Sequence, residues 1–375
     1  MSVIKGFSVL DEHALEDLAN GCAFLGSGGG GDPYYSILEI TSLLSNSQFN
    51  DVTIISADTL DDDAVVAPCG WLGAPTVSLE KLPSGTEATA GLARLEQVLG
   101  KKIDAIFPVE IGGSNGLAPF ILALKTGLPI VDCDGMGRAF PESQMVIFNV
   151  VGISASPAVM TDAKGNTLVI DTVDNEAEEL VARAAAVALG GSCHLFEYVQ
   201  TGKQVKQHAI HGTISLALEI GRKMRRVKSS GSDPTDALLS VIRQNADYGY
   251  GGILFEGKIT DVKRETNQGF SVGHLLVETF DGQQQMEVKF QNENLIAKIG
   301  ERVVATVPDI ISVLDCETAQ TITTEQLRYG QRVKIVSASA PGVLRSPAAL
   351  AIMGPSAFGM VEQYQPVELL NGWES

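Results

Sequence analysis

The sequence predicts two structural regions: a parallel α/β domain over about residues 1–165, then a mixed segment leading to a β-rich domain over 166–375. In the first half, short apolar runs of strand length alternate with helical stretches, a pattern typical of a parallel sheet covered on both faces. After about residue 250, apolar runs follow one another with no helix between them. The length of 375 residues also favours more than one domain.

The first region begins with two helices joined by a glycine run. LDEHALEDLANGCAFLG places apolar residues at helical spacing, with Asp11 as its N-cap. After the glycines, Asp32 and Pro33 start a second helix, because Asp suits the N-cap and Pro the first helical position. Strands are predicted in VTIIS, AVVAPCG, AIFPVEIGG and PIVDCDG, and helices in TEATAGLARLEQVLG and GLAPFILALKTG.

The middle of the chain mixes both types of element. A hairpin around Gly165 precedes an acidic helix from Asn175 to Leu189, a strand in CHLFEYVQTG and a helix in HGTISLALEIGRKMRRVK. The basic end of that last helix suits a helix C-terminus. The β-rich region follows, with a hairpin turn at Asp281-Gly282. Its strands are predicted in GGILFEGKITDVKRE, GFSVGHLLVETF, QQMEVKFQNENLIAKI, RVVATVPDIISVL and QRVKIVSASA.

The charge balance disfavours two classes of partner. A net charge of −18 disfavours both non-specific nucleic-acid binding and attachment to an anionic membrane surface. No apolar run approaches the 20 or so residues of a membrane span, and MSVIKGFSVLDEHALEDL lacks the features of a signal peptide. We expect a cytoplasmic homo-oligomer that acts on a small molecule.

The five cysteines are widely scattered, and none forms a C-x-x-C pair. This spacing predicts neither a disulfide framework nor a zinc knuckle, so most should be small buried apolar residues.

The glycine run allows two interpretations. It leads into a helix N-terminus, where free N–H groups and the helix dipole favour a bound anion or carbonyl, and it could equally serve tight packing. A G-x-G-x-x-G occurs at Gly26, Gly28 and Gly31, but it follows a helix and lacks the Lys-Ser/Thr of a phosphate loop, so no nucleotide cofactor is expected. The candidate ligand-binding residues of this loop are Gly28, Gly29, Gly30, Gly31 and Asp32.

A second set of polar residues lies in PVEIGGSNGLAP. Glu110 ends a predicted buried strand, and Gly113 and Asn115 follow it before a helix. Functional groups in open α/β sheets gather at such strand ends. We therefore expect Glu110 to be catalytic and Gly113 and Asn115 to bind ligand; the alternative places Glu110 in solvent beyond the strand.

A third set lies in IVDCDGMGRAFPES, again at a strand end. Asp132 and Asp134 flank Cys133, so their side chains would share one face of a strand. They could ligate a metal, share a proton, or form a structural ion pair with Arg138. Asp132, Asp134 and Arg138 are therefore further catalytic candidates.

Evidence for a metal or a nucleophile is sparse. His208 and His211 would share a helix face if the helix extended back that far, and Cys193-His194 lies upstream. The spacing matches no common zinc pattern, so His208 and His211 are weak metal candidates. The sequence contains no G-x-S-x-G, H-E-x-x-H or sound serine triad.

Several long motifs resemble one bacterial family over roughly residues 8–370. These motifs, namely GSGGGGDP, EIGGSN, DGMGRAFPE, GTISLALEIG, FQNENLIA, VPDII, RYGQRV and GPSAFG, are similar to those of the family named for S-methyl thiohydantoin desulfurase, formerly a domain of unknown function. Its genes often lie beside hydantoinase/oxoprolinase genes.

The resemblance implies a Rossmann-like N-terminal domain, a β-rich C-terminal domain, and activity on hydantoin-like rings in amino-acid or thiol-imidazole catabolism. From the residues we expect a hydrolase: loop N–H groups would stabilise developing negative charge while a carboxylate activates water. A water bound to a divalent metal is the alternative nucleophile. The rival interpretation is a non-catalytic ligand-binding or regulatory partner of a hydantoinase/oxoprolinase.

Overall fold

The computed structural model describes residues 12–46, 51–74, 77, 80–228, 231–267 and 269–374. Asp11 lies outside them. None of the helices in these ranges combines the length and apolar character needed to cross a membrane. The α-helices are Glu12–Leu25, Tyr34–Asn46, Glu87–Leu99, Ala118–Thr126, Ile147–Val150, Asn175–Ala188, Gly202–His208, Thr213–Lys228, Pro234–Gln244, Pro347–Met353 and Val367–Asn371.

The strands form two large sheets and one short pair, β5 with β10. In chain order they are β1 Ile54–Ile55, β2 Val65–Gly73, β3 Ala105–Pro108, β4 Ile130–Val131, β5 Cys133–Asp134, β6 Ala158–Thr161, β7 Thr167–Ile170, β8 Ser192–Phe196, β9 Gln200–Thr201, β10 Ile210–His211, β11 Gly251–Asn267, β12 Phe270–Glu278, β13 Gln285–Gln291, β14 Glu293–Ile299, β15 Arg302–Thr306, β16 Ile310–Asp315 and β17 Arg332–Ala338.

The first sheet is mixed, with the order β1-β4-β3-β2-β8-β6-β7 and β9 paired to β2. The strands β1, β4, β3 and β2 run parallel, as predicted, and residues such as Val66, Ile106 and Phe107 are wholly buried. The strands β8, β6 and β7 then extend the sheet antiparallel. A wholly parallel sheet was therefore a wrong expectation, and the Rossmann-like description is not confirmed.

The helices Glu12–Leu25 and Thr213–Lys228 pack backbone to backbone beside this sheet. A Cβ atom on Gly21 would lie 1.8 Å from the carbonyl oxygen of Ala217, and one on Gly221 would lie 1.9 Å from that of Asp17. Glycine is therefore required at both crossing points. The guanidinium of Arg225, near the end of the second helix, links the two helices by donating two 2.8 Å hydrogen bonds to the Asp17 carboxylate.

The second sheet confirms the β-rich C-terminal region. Seven antiparallel strands in the order β15-β14-β13-β12-β11-β17-β16 form a curled half-barrel, and alternate side chains of β13 are buried. The hairpin between β12 and β13 turns at Gly282, whose φ is +71°, as the Asp281-Gly282 pair predicts. Bulges within β11 increase the curl.

The two sheets meet at the glycine loop, defined as Gly26–Gly31. The hydroxyl group of Ser27 makes two hydrogen bonds with the backbone of Ile311. Its Oγ accepts from the Ile311 N–H at 3.0 Å and donates to the Ile311 carbonyl oxygen at 3.1 Å. The N–H of Asn294 donates to the Ser27 carbonyl, and that of Thr324 to the Gly28 carbonyl, both at 2.8 Å. The loop thus joins the α/β half to the half-barrel.

Candidate functional site

A cavity of about 150 Å³ lies where the loops after β2 and β3 meet the glycine loop and the start of β14. A cavity of that volume holds one benzene-sized ring. Its lining includes the aromatic side chains of Trp71 and Phe140. It also includes the carboxyl groups of Glu110, Glu197 and Glu293. Its position at the carboxyl ends of parallel strands is the usual place for a site in an α/β sheet.

Glu110 is buried in the wall of this cavity, with 5% of its surface exposed, rather than lying in solvent. Its Oε1 accepts a 2.6 Å hydrogen bond from Asn115 Nδ2, and its Oε2 accepts a 3.1 Å bond from the Phe140 N–H. Burial nevertheless dominates and raises the pKa of Glu110 to about 7. A carboxyl group with that pKa exchanges protons readily near neutral pH.

Asn115 orients Glu110 and connects it to β2. Its Oδ1 accepts the N–H of Trp71 at 2.7 Å, while its Nδ2 donates to Glu110. Gly113 supports the arrangement by close packing: its φ is +52°, and a Cβ atom there would lie 2.3 Å from the Gly31 carbonyl oxygen. Asn115 therefore lies at the cavity, whereas Gly113 interlocks with the glycine loop.

The glycine loop is divided between packing and the cavity. Cβ atoms on Gly28 and Gly29 would lie 2.6 Å from Asn294 Nδ2 and 1.9 Å from Glu293 Oε1, so these two glycines face β14. Residues 30–32 line the cavity instead. Within the described part of the chain, the N–H groups of residues 31 and 32 donate no hydrogen bond.

Glu293 is a site residue that the sequence analysis missed. Its Oε1 accepts the Gly30 N–H at 3.2 Å, whereas Oε2 is buried without a partner among the described residues. Burial, and then repulsion from Glu110, raises the pKa of Glu293 well above its ordinary value. The sequence does contain an indication of this site residue: Glu293 is the only acidic residue in the segment FQNENLIA, where the other buried side chains are apolar or carry an amide.

Asp134 faces its own backbone rather than the cavity. It is wholly buried, and its Oδ2 accepts N–H groups from Ile111, Met136 and Gly137 at 2.7–3.1 Å. Burial raises the pKa of Asp134 to about 7 despite these bonds. Its carboxyl group ties the loop after β3 to the loop after β5.

Asp132 has a different set of partners, so the two aspartates do not form one site. Its Oδ1 accepts the N–H groups of Ile214 and Ser215 at 2.9 and 3.1 Å, and its Oδ2 accepts Ser215 Oγ. The carboxylate therefore caps the first turn of the helix Thr213–Lys228.

Replacing Asp132 with alanine should lower the free energy of unfolding by about 1–2 kcal/mol, the usual cost of a lost helix cap. Chemical denaturation measures this loss. Metal content and turnover per folded molecule should stay unchanged; a variant of normal stability that loses bound metal would show that Asp132 is a ligand.

Arg138 pairs with neither aspartate, contrary to the ion pair considered from the sequence. Its guanidinium is wholly buried and donates to backbone carbonyls: Nε to Ala139, Nη1 to Asp309 at 2.8 Å, and Nη2 to Asn294 at 3.2 Å. Burial lowers the pKa of Arg138 to about 10, so it stays charged at neutral pH. Arg138 joins the two halves behind the cavity and does not line it.

The two candidate histidines do not share a helix face. The helix ends at His208, and His211 lies in β10 with Nε2 3.3 Å from the Val205 carbonyl oxygen. Neither lines the cavity. Among the residues that the structure describes, no three His, Cys, Asp or Glu side chains are grouped as a metal site. All five cysteines are free, and all but Cys316 are buried.

Glu197 is the second site residue that the sequence analysis missed. It follows β8, is 3% exposed, and lines the cavity. Burial, and then the neighbouring carboxyl groups of Glu178 and Glu179, raise the pKa of Glu197 well above its ordinary value. The signal available was again a single acid in an apolar run, CHLFEYV.

Comparison with known proteins gives the family. Profiles described as the S-Me-THD-like N-terminal domain and the S-Me-THD-like C-terminal domain match residues 13–172 and 173–367. The crystal structure of a protein from Chromobacterium violaceum aligns with a TM-score of 0.76 and 23% identity, covering 95% of this chain and 98% of that one, so it shows a shared fold. No curated protein gives a significant match. The chain belongs to the S-Me-THD-like family, that of S-methyl thiohydantoin desulfurase.

Proposed function

We propose that this protein is a hydrolase that removes the sulfur substituent from a hydantoin-like five-membered ring, in amino-acid or thiol-imidazole catabolism. One observation carries the proposal: Glu110, with a pKa of about 7, lines a ring-sized cavity together with a second buried carboxyl group, Glu197. Two carboxyl groups with separated pKa values are suited to act as base and acid. Family membership supports the class of substrate.

The reaction needs only water as co-substrate. Ionised Glu110 takes one proton from a water molecule while the water oxygen bonds to the ring carbon that carries the S-methyl group, and the π electrons of the carbon–nitrogen double bond move to the ring nitrogen. The second water proton passes from the resulting hydroxyl group to that nitrogen. The carbon–sulfur bond then breaks, and the sulfur leaves as methanethiol once it has gained a proton. The ring keeps the water oxygen as a carbonyl, so the products are a hydantoin and a thiol.

The glycine loop would stabilise charge on the ring. The N–H groups of Gly31 and Asp32 precede the helix Tyr34–Asn46 and border the cavity. Negative charge that develops on a ring oxygen or nitrogen is favoured at such a helix N-terminus. This assigns the predicted anion-binding role to residues 31 and 32, while Gly28, Gly29 and Gly30 hold the loop against its neighbours.

The decisive experiment offers the purified chain a panel of S-methyl thiohydantoins, thiohydantoins and hydantoins, and follows thiol release and ring absorbance. We expect thiol release from the S-methyl compounds by the chain alone. Ring turnover that appears only after a hydantoinase/oxoprolinase is added would support the regulatory alternative. Metal analysis of the same samples separates a carboxylate base from a metal-bound water: full turnover by metal-free protein eliminates the second.

The pH dependence follows from the protonation state of Glu110. A base must be ionised, and its pKa is about 7, so kcat/KM should rise through about pH 7 and fall again only where the acid loses its proton. The charged groups around Glu110 are Asp134, Arg138 and Glu293, and the buried Arg138 keeps its charge throughout this range. Initial rates from pH 5 to 9 measure the profile; a rate that falls from pH 6 to 8 would contradict the role of Glu110 as base.

A further inference from the structure

A second group of carboxyl side chains lies beside the cavity, and one of its members, Glu197, lines the cavity. Glu178 and Glu179, on the helix Asn175–Ala188, converge with Glu197 around Ser143. Ser143 Oγ donates to Glu178 at 3.2 Å, and its N–H donates to Glu179 at 3.0 Å. Glu179 is neutralised by Arg183, whose Nε lies 2.6 Å from it. Among the described residues, no cation forms an ion pair with Glu178 or Glu197 in this way.

Two oxygen atoms in this group have no donor among the described residues: Oε1 of Glu178 and Oε2 of Glu197. Both side chains are at least 97% buried, and their carboxyl groups are within hydrogen-bonding reach of each other. Two buried carboxylates in contact cannot both stay ionised. If one of them carries a proton, each unpaired oxygen finds its partner in the other carboxyl group. The pair is therefore a neutral acid hydrogen-bonded to a carboxylate, with Glu197 the member that borders the cavity.

The segment Phe140–Ser143 connects this pair to the base. The Phe140 N–H binds Glu110, whereas Ser143 binds Glu178 and Glu179. Three residues of chain span at most about 11 Å, so the base and the shared proton lie close together, and Glu110 and Glu197 line the same cavity.

We propose that Glu197, with a proton shared with Glu178, is the general acid of the reaction, an inference that rests on the proposed hydrolysis. As the carbon–sulfur bond breaks, the proton passes from Glu197 to the departing sulfur, and the thiol leaves neutral. The proton that Glu110 takes from water restores the pair after product release. Glu197 is thus catalytic, and Glu178 positions its proton.

The test compares leaving groups rather than rates alone. A general acid matters less when the leaving thiolate is already stable, so S-methyl and S-(2,2,2-trifluoroethyl) substrates should respond differently. Glu197→Gln should lower turnover of the S-methyl substrate about 10²-fold or more and that of the trifluoroethyl substrate much less. Glu178→Gln should give the same pattern. The control is Asp162→Asn, which changes a buried acid that does not line the cavity and whose Oδ1 accepts the N–H groups of Lys164 and Asn166, interactions that an amide oxygen retains; its rates should not change.

Infrared spectroscopy gives a readout that is independent of turnover. The wild-type protein should show the carbonyl stretch of one protonated carboxyl group that is lost in both Glu197→Gln and Glu178→Gln. Equal rate losses on both substrates, or an unchanged carboxyl signal in both variants, would overturn the inference while leaving the hydrolase intact. A wild-type chain that releases no thiol from either substrate refutes the proposed function and this inference with it.

Discussion

Replacing Glu110 with glutamine should lower turnover of an S-methyl thiohydantoin by about 10²- to 10⁴-fold, the usual contribution of a general base. The amide keeps the shape of the carboxyl group and can still accept the hydrogen bond from the Phe140 N–H, but it cannot take a proton near neutral pH. The loss should appear in kcat more than in KM, because the residue acts on water. Steady-state kinetics and a thermal melt of the same sample measure both effects.

The same Asp162→Asn variant is the control, since it also replaces a buried carboxyl group with an amide but at a position that does not line the cavity. It should keep wild-type kcat. If Glu110→Gln retains full turnover and melts normally, Glu110 is not the base and another nucleophile, such as a metal-bound water, must be sought.

Replacing Gly30 with alanine should be the most destabilising of the substitutions considered, at about 3 kcal/mol or more. Its φ is +72°, and a Cβ atom would lie 2.4 Å from the carbonyl oxygen of Gly112. Two backbones touch there, so no flexible side chain can move away. Denaturant unfolding should show a lower midpoint, and a variant as stable as the wild type would show that the loop is not packed in this way.

The Gly31→Ala variant measures the cost of the left-handed backbone without the close backbone contact that is present at Gly30. Gly31 has a similar φ of +81°, but its nearest neighbour would be the Ser114 Cβ at 3.3 Å. We expect a loss of about 1–2 kcal/mol from the left-handed backbone alone. If its N–H stabilises negative charge on the ring, the methyl group at the cavity should also reduce turnover per folded molecule.

The elements of the fold were predictable where the pattern is local. Alternation of apolar strands and helices gave the parallel strands β1 to β4, and Asp281-Gly282 marked a hairpin that the structure contains. The antiparallel addition of β8, β6 and β7 was not predictable, because which strand pairs with β2 depends on long-range packing. Apolar runs indicate burial, but they do not give strand direction.

The site was predictable only in part, for a similar reason. Glu110 and Asn115 follow a buried strand, a local signal, and both line the cavity. Asp132 and Asp134 follow the same rule, yet their oxygens bind backbone N–H groups: the sequence cannot tell a carboxylate that faces a ligand from one that caps a helix. Glu197 and Glu293 come from distant segments that only the folded chain brings together.

Arg138 has a consequence for how a ligand would enter and leave. Its buried guanidinium donates to carbonyls of Asp309 and Asn294, so separating the two halves would break these charge-assisted hydrogen bonds. Slow opening of the whole molecule like a clamshell is therefore disfavoured. Exchange should depend instead on fast, small motions of the exposed mouth around Leu82 and Pro83. Amide hydrogen exchange at Asn294 should then be equally slow with and without ligand.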